Sequence, residues 1–289
     1  MTETWTRYRV VWQLDSPLHI GYQTIGMIHR TRIWVQGRNV WAGIVEAIAM
    51  ASGGGNLDYT QSQEGINATL RFEAGFLSYS PANSCMPKYH NEQEGSKDLE
   101  GRKRGLHFGE YTEAEWQRSV LAARVSTALE RGVAAEGQLF EFEYIAPALL
   151  QPLAEFHAGS PLYLHIHIWA NDGGALLKQC QHIQIGGERN KGFGWLSQRG
   201  PIQPAMTASE PRLTLSPNSG IPLFVQVNSE LHAIRGMQVP VVGRSTITNQ
   251  TYGQRVEQAK ICWLPGSVWK EALTLSFSDT TPGVAIIMN

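Results

Sequence analysis

Two segments of the chain alternate strictly in side-chain character, residues 139–145 (LFEFEYI) and residues 162–169 (LYLHIHIW). A period of two residues is typical of strands that bury one face. Residues 8–14 are β-branched and aromatic and predict a first strand, while residues 70–79 predict one long strand or a pair of strands. Strands therefore form the framework of the predicted fold.

Helical patterns fall between these strands. Val40, Ile44, Ala47 and Ile48 recur at helical spacing after Asn39, which can cap a helix. Residues 113–121 and 175–181 predict two further helices, and residues 193–197 predict a strand. Without a polar insertion, the order from residue 7 to about residue 199 is strand, helix, strand, strand, helix, strand. We therefore predict an α+β fold with a ferredoxin-like, RNA-recognition-like βαββαβ core.

The predicted domain organisation has two parts. Residues 1–200 form the ferredoxin-like domain, with a large insertion at about residues 81–135. Within it, residues 81–109 are polar, charged and glycine-bearing, which predicts an inserted or mobile loop. Residues 201–204 (PIQP) mark a linker. Residues 201–289 form a C-terminal β-rich extension or small subdomain, with predicted strands near 223–228, 259–264 and 273–277.

Composition places this 289-residue chain among soluble globular proteins, with 42% hydrophobic residues and a net charge of -1. An electrostatic argument for nucleic acid therefore depends on local basic clusters. Three widely spaced cysteines favour neither a disulfide framework nor a zinc site. No apolar run approaches the length of a membrane span, so a cytoplasmic location is expected.

A glycine-rich loop at residues 185–196 (IGGERNKGFGWL) is the strongest candidate for a binding motif. Glycine permits positive φ and lets an anion approach the backbone amides, and two cations supply positive charge. A P-loop and a dinucleotide-binding loop are both excluded, because Lys191 precedes glycine and a strand, not a helix, follows. We interpret the loop as a cradle for a phosphate backbone, and the alternative is an ordinary glycine-rich hairpin turn.

Four blocks occur in a fixed order along residues 8–199: SPLHIG at 16–21, GRNVWAG at 37–43, RVSTALERGVA at 124–134, and the glycine loop at 186–194. Each block is degenerate alone, and the combination resembles the RAMP superfamily of CRISPR-associated proteins. The resemblance implies a subunit of a type III, RNA-guided effector complex. Residues 135–140 (AEGQLF) look closest to the subunit that caps the repeat-derived 5′ tag of the guide RNA (crRNA). The implied partners are crRNA, other RAMP subunits and a large signature subunit, with target RNA as a further candidate.

The resemblance also bears on catalysis. Backbone subunits that cut target RNA carry an aspartate between the first strand and the first helix, whereas residues 21–37 here contain neither Asp nor Glu. We therefore expect RNA binding without cleavage, and no cofactor or metal. Three alternatives stay open: a backbone subunit along the guide, a structural assembly subunit without RNA contact, and a metal-independent crRNA-processing endoribonuclease. For the last, His29 is the candidate general acid or base, with His19 and His107 as others.

The predicted RNA-binding residues combine the loop with cations and one aromatic side chain. Tyr22 is the candidate for base stacking, and the arginines and Lys191 for phosphate contacts. His165 and His167 share a strand face, but with no third ligand evident we interpret them as packed or hydrogen-bonded histidines. The full predicted set is Gly186, Gly187, Arg189, Asn190, Lys191, Gly192, Gly194, His19, Tyr22, Arg30, Arg32, Arg38, Arg124 and Arg131.

Overall fold

The structure is a computed structural model that describes residues 4–52, 58–90, 105–130, 133–227, 235–242, 244–245, 255–256, 259–278 and 281–288. Its helices are α1 (Gly37–Ser52), α2 (Tyr59–Thr69), α3 (Glu113–Val120) and α4 (Ala175–Gln179), with one 3-10 turn at Arg189–Lys191. Its strands are β1 (Trp5–Leu14), β2 (Gly21–Ile25), β3 (Ile28–Thr31), β4 (Trp34–Val35), β5 (Leu70–Phe72), β6 (Gly75–Ser78), β7 (Pro87–His90), β8 (Gly105–Phe108), β9 (Tyr111–Thr112), β10 (Leu121–Glu130), β11 (Val133–Ile145), β12 (Tyr163–Ala170), β13 (His182–Gln184), β14 (Trp195–Gln198), β15 (Gln203–Ala208), β16 (Arg212–Leu215), β17 (Phe224–Gln226), β18 (Gln238–Val241), β19 (Arg244–Ser245), β20 (Arg255–Val256), β21 (Lys260–Trp263), β22 (Leu273–Phe277) and β23 (Val284–Met288).

The first sheet has the strand order of a ferredoxin-like fold. Strand β1 pairs antiparallel with β12 from Thr6↔Ala170 to Gln13↔Tyr163. Strand β14 flanks β1 on the other side, and β5 and β6 flank β12. The order β14, β1, β12, β5/β6, with α1 after β1 and α4 after β12, confirms the predicted βαββαβ core. Strand β12 forms where it was predicted, with Leu164, Ile166 and Ile168 buried, but its other face is covered as well, since His165 and Trp169 are also buried.

Helix α1 packs against the strand that leads into the glycine loop. Val40 and Ile44 are fully buried, as their spacing predicts. A Cβ placed at Gly43 would lie 2.6 Å from Ile185 Cγ2 and 2.9 Å from the carbonyl oxygen of Gln184. Glycine at this position therefore allows the close approach that sets the helix beside the loop.

A second, four-stranded sheet, in the order β10, β11, β3, β2, stands beside the first. Strands β10 and β11 form a long antiparallel hairpin, and β3 pairs in parallel with β11 through Glu141↔Ile28 and Phe142↔His29. Residues 21–31, for which the sequence predicts no strand, form the β2–β3 hairpin. The strand predicted at residues 139–145 is the end of β11.

The insertion is more ordered than its composition predicts. Strand β7 pairs with β8 from Pro87↔Phe108 to His90↔Gly105, while residues 91–104 lie outside the described residues. The predicted helix at 113–121 is confirmed as α3, which begins with a capping box between Thr112 and Glu115. Its Trp116 is buried and stacks on Phe108 at 5.8 Å. Helix α2 was not predicted.

The C-terminal residues form a third sheet in the order β16, β22, β23, β17, β21, β18. Its apolar cluster includes Val225 and Trp269 and also takes in Trp5 and Trp169 of the first sheet. Strand β15 pairs with β1, so the first sheet continues through the segment predicted as a linker. Across the described residues, the helices are too short or too polar to cross a membrane.

Candidate RNA interface

The glycine loop follows β13 and precedes β14, and positive φ occurs at several of its positions. Gly186, Gly192 and Gly194 have φ of +81°, +84° and +85°. A Cβ at Gly186 would lie 2.5 Å from the His19 carbonyl oxygen, and one at Gly194 would lie 1.9 Å from the Ile185 carbonyl oxygen. At Gly192 the same atom would meet open space. Gly186 and Gly194 therefore allow close contacts within the protein, and of these three glycines only Gly192 faces outward.

The amides of the loop are largely committed to internal hydrogen bonds. The N–H of Gly187 donates to the His19 carbonyl at 2.8 Å, and that of Gly194 donates to the Pro17 carbonyl at 2.7 Å. The N–H of Gly192 closes the 3-10 turn. These bonds fasten the loop to the segment after β1, so an anion would be met mainly by the side chains of the loop.

The two cations of the loop each have a carboxylate partner. The Arg189 guanidinium donates to Glu46 of α1. The Lys191 ammonium lies 2.6 Å from a Glu188 carboxylate oxygen and 5.0 Å from the ring centroid of Phe140 on β11. Both side chains are about one-third exposed, at 32% and 38%. A phosphate can therefore reach these cations, but it must compete with Glu46 and Glu188.

The β2–β3 hairpin brings another cation to the same region. Arg30 Nε donates to a Glu143 carboxylate oxygen at 2.7 Å, and this hydrogen bond raises the pKa of the Arg30 guanidinium. His19 Nδ1 lies 2.6 Å from the Glu143 carbonyl oxygen. Strand β11 thus contacts both the hairpin and the segment that holds the glycine loop.

Arg32 differs from Arg30, Arg189 and Lys191 because its guanidinium has no carboxylate partner among the described residues. Its side chain is buried, its Nε has no hydrogen-bond partner, and burial lowers its pKa. The guanidinium lies 4.8 Å from the ring centroid of Tyr22, which is 46% exposed, and 6.0 Å from that of Trp34. An uncompensated buried cation under an exposed aromatic ring is a site suited to an anion carrying a planar group.

The remaining predicted residues are placed as follows. Asn190 is exposed on the 3-10 turn, and Arg124 is exposed on β10 opposite Phe142. His29 lies on β3 with its ring 5.5 Å from that of Phe140 and its Nδ1 3.4 Å from Thr24 Oγ1. Arg131 lies outside the described residues.

Arg38 lies apart from the glycine loop. It is in the first turn of α1, with its guanidinium 5.4 Å from the Trp41 ring, and its backbone meets Gly283 of the C-terminal residues. Glu46, the α1 residue that contacts the loop, lies about 12 Å further along the helix axis. Among the described residues, Arg38 is therefore the predicted cation that lies away from the glycine loop, beside the C-terminal residues.

Of the two strand histidines, His165 is hydrogen-bonded, while His167 Nδ1 lies 3.8 Å from a Glu73 carboxylate oxygen. His165 Nε2 lies 2.8 Å from the Ser80 carbonyl oxygen and Nδ1 lies 3.2 Å from Arg9 Nη2. Burial lowers the pKa of His165 to about 4 and that of His167 to about 3. No set of three or more metal-ligating side chains occurs within the described ranges.

Two groups of residues at this interface were not anticipated. The carboxylates of Glu46, Glu143 and Glu188 partner the predicted cations, and the rings of Phe140 and Phe142 underlie Lys191. The alternation in residues 139–145 does place both phenylalanines on one face of β11. No local signal could have placed Glu46 beside a residue 143 positions away.

Comparison with solved structures shows a similar fold in chains of Type III-B Cmr-beta. A chain from the cryo-EM structure of Cmr-beta bound to cognate target RNA has a TM-score of 0.56 at 12% identity, over 90% of this chain and 85% of that chain. A chain from the complex with cognate target RNA and AMPPnP, state 1, has a TM-score of 0.52 at 12% identity with the same coverage. At such identity the likeness shows the fold alone, and it confirms the predicted fold class. No family model and no curated protein matches the sequence.

Proposed function

We propose that this chain is a crRNA-binding subunit of a type III CRISPR effector complex, and that it holds the repeat-derived 5′ tag without cutting RNA. Its partners in this proposal are crRNA, other RAMP subunits and a large signature subunit, with target RNA passing nearby. The similarity in fold to chains of a type III-B complex bound to target RNA supports this assignment. The observation that carries it is the buried guanidinium of Arg32, which lacks a carboxylate partner beneath the exposed ring of Tyr22.

Binding would proceed by exchange of partners. A phosphate that approaches Arg30, Arg189 or Lys191 replaces a carboxylate. Each of these contacts therefore adds less binding free energy than a contact with an unpaired cation would add. Arg32 has no such partner to displace, and its buried charge is stabilised when an anion arrives. A base stacked on Tyr22 adds about 1–3 kcal/mol. The result is one strong anchor surrounded by weaker, salt-sensitive contacts.

The assignment to the 5′ tag is supported by the position of residues 135–140. This segment resembles subunits that cap the tag, and it lies on β11. Phe140, its last residue, lies under Lys191 of the glycine loop at 5.0 Å. The two motifs are therefore in direct contact, as expected if both hold the same end of the guide.

A double variant tests whether the loop contacts RNA. In Arg189→Ala plus Lys191→Ala, two phosphate contacts disappear, so the slope of log K against log salt for a tag-bearing single-stranded RNA should fall by about 1.4. Arg199→Ala plus Arg212→Ala removes the same charge from exposed sites and serves as the control. An equal change in both double variants would remove the loop from the interface.

Tyr22 and Arg32 are tested separately. Tyr22→Ala should weaken binding about 5- to 150-fold through lost stacking, while Tyr22→Phe should bind like the parent chain. Arg32→Gln should lose affinity for tag-bearing RNA, with circular dichroism showing whether the fold is kept. Full affinity in both Tyr22→Ala and a folded Arg32→Gln would contradict the proposal.

The endoribonuclease alternative predicts a different outcome. With a repeat-containing RNA precursor, we expect no specific cleavage with or without divalent metal. Metal-independent cleavage that disappears in His29→Ala would establish processing activity instead. Cleavage that a chelator abolishes would indicate a metal site. An isolated chain that binds no RNA at low salt would favour the structural assembly subunit.

A further inference from the structure

The sheet formed by β10, β11, β3 and β2 has two faces of opposite chemistry. Val125, Glu141, Ile28 and Ile25 are paired in one row across all four strands, so their side chains share a face. Leu139, two residues before Glu141, lies on that face as well. We call these five residues the aliphatic face.

The opposite face is aromatic and basic. Phe140 and Phe142 alternate with Glu141 on β11 and lie under Lys191 of the glycine loop. Arg124 and His29 pair with Phe142 on that side. Lys191, Arg124 and His29 thus lie on the side of the sheet opposite the aliphatic face, whereas Arg30, two residues after Ile28 on β3, lies on the same side as that face.

The aliphatic face is exposed to an unusual degree for its composition. The exposed fractions are 60% for Val125, 52% for Leu139, 50% for Ile25 and 39% for Ile28. Single exposed aliphatic residues are common, but four in one contiguous group mark an interaction site. Arg30 lies on the same side of β3, but its guanidinium is paired with Glu143.

One carboxylate stands within this group without a charge partner. Glu143, two residues further along the same face, is paired with Arg30 at 2.7 Å. For Glu141, no ion pair occurs with any residue in the described ranges. The surface that covers this face should therefore offer aliphatic side chains around one lysine or arginine.

We propose that the aliphatic face docks a neighbouring protein subunit whose contact surface carries a basic residue among aliphatic side chains. This rests on the proposed function, in which the chain works inside an assembly. RNA is disfavoured as the occupant because its phosphates would meet Glu141, and aliphatic side chains offer no stacking platform. A second copy of this chain, docked through a two-fold axis, would bring two Glu141 carboxylates together.

Site-specific photocrosslinking tests the inference in the intact assembly. p-Benzoylphenylalanine is placed at Val125 in a tagged chain expressed in its native cells, and the assembly is purified at mild salt and irradiated. The matched control carries the same group at Glu155, which is exposed after β11. We expect Val125, but not Glu155, to crosslink to a peptide of a different subunit that contains Lys or Arg among aliphatic residues. Crosslinks to RNA, to a second copy of this chain, or to nothing would overturn the inference.

A charge reversal supplies a second readout. Glu141→Lys should reduce retention of the crosslinked subunit at least tenfold, and changing the identified basic residue of that subunit to Glu should restore it. Unchanged retention would overturn the inference. RNA binding by the isolated Glu141→Lys chain should not weaken relative to the parent, because the change adds positive charge, and this separates the outcome from a failure of the proposed function. An assembly that contains the crosslinked subunit but no crRNA would refute the proposed function alone.

Discussion

A matched pair of glycine substitutions tests how the glycine loop is held in place. Gly192 and Gly194 have nearly the same φ, +84° and +85°, yet their surroundings differ. A Cβ at Gly192 meets nothing within 4 Å, whereas one at Gly194 would lie 1.9 Å from the carbonyl oxygen of Ile185. Comparing alanine at the two positions therefore separates the cost of the left-handed backbone from the cost of the clash.

The magnitudes follow from these contacts. Alanine at positive φ costs about 1–2 kcal/mol, and this is the whole expected loss for Gly192→Ala. In Gly194→Ala the clash adds about 1–3 kcal/mol. Relief of the clash would also disturb the hydrogen bonds that Gly194 makes with Pro17 and Ile185, at 2.7 and 2.9 Å, each worth about 1 kcal/mol. The expected loss for Gly194→Ala is about 3–5 kcal/mol.

Thermal unfolding monitored by circular dichroism measures the difference. With about 2 °C lost per kcal/mol in a chain of this size, Gly192→Ala should melt about 2–4 °C below the parent and Gly194→Ala about 6–10 °C below it. Urea midpoints provide an independent check. Equal losses for the two variants would refute the packing described for Gly194.

Two further predictions concern charge. Burial lowers the pKa of His165 to about 4. Below about pH 6.5 the unfolded chain therefore binds a proton at this residue that the folded chain does not bind. As the pH falls from about 7.5 to about 5, this difference should lower the free energy of unfolding by about 2 kcal/mol. Urea titrations of His165→Gln should show a pH dependence weaker by that amount, and an unchanged dependence would contradict the prediction. Glu46→Gln removes the carboxylate partner of Arg189 and should tighten binding of single-stranded RNA about two- to fivefold, as measured by fluorescence anisotropy. Glu210→Gln removes the carboxylate partner of Arg212 and should leave the affinity unchanged. Identical effects of the two glutamine variants would argue against a contact between Arg189 and RNA.

Much of the fold could be predicted because its central strands have a strong local signal. The alternation in residues 162–169 identifies β12, and the apolar spacing of Val40 and Ile44 identifies α1. Their order along the chain then restricts the topology to the ferredoxin-like arrangement. Helix α2 escaped prediction because only Tyr59 and Ile66 of its residues are buried, which leaves little periodicity to detect.

The site was less predictable than the fold. The composition of the glycine loop suggested a binding role, but its glycines could not reveal that Gly186 and Gly194 serve contacts with His19 and Ile185. The β2–β3 hairpin has a short, irregular pattern around Gly26 and reads as a loop. Ion pairs such as the one between Arg30 and Glu143 join residues far apart in sequence, and only the three-dimensional fold brings them together.

The most direct test of the central claim is to purify the tagged chain from its native cells at mild salt, sequence the RNA that accompanies it and identify the accompanying proteins. The account predicts guide RNAs that share one repeat-derived 5′ tag, together with other RAMP-like subunits and a large subunit. Recovery of the chain without such RNA and without such subunits would contradict it.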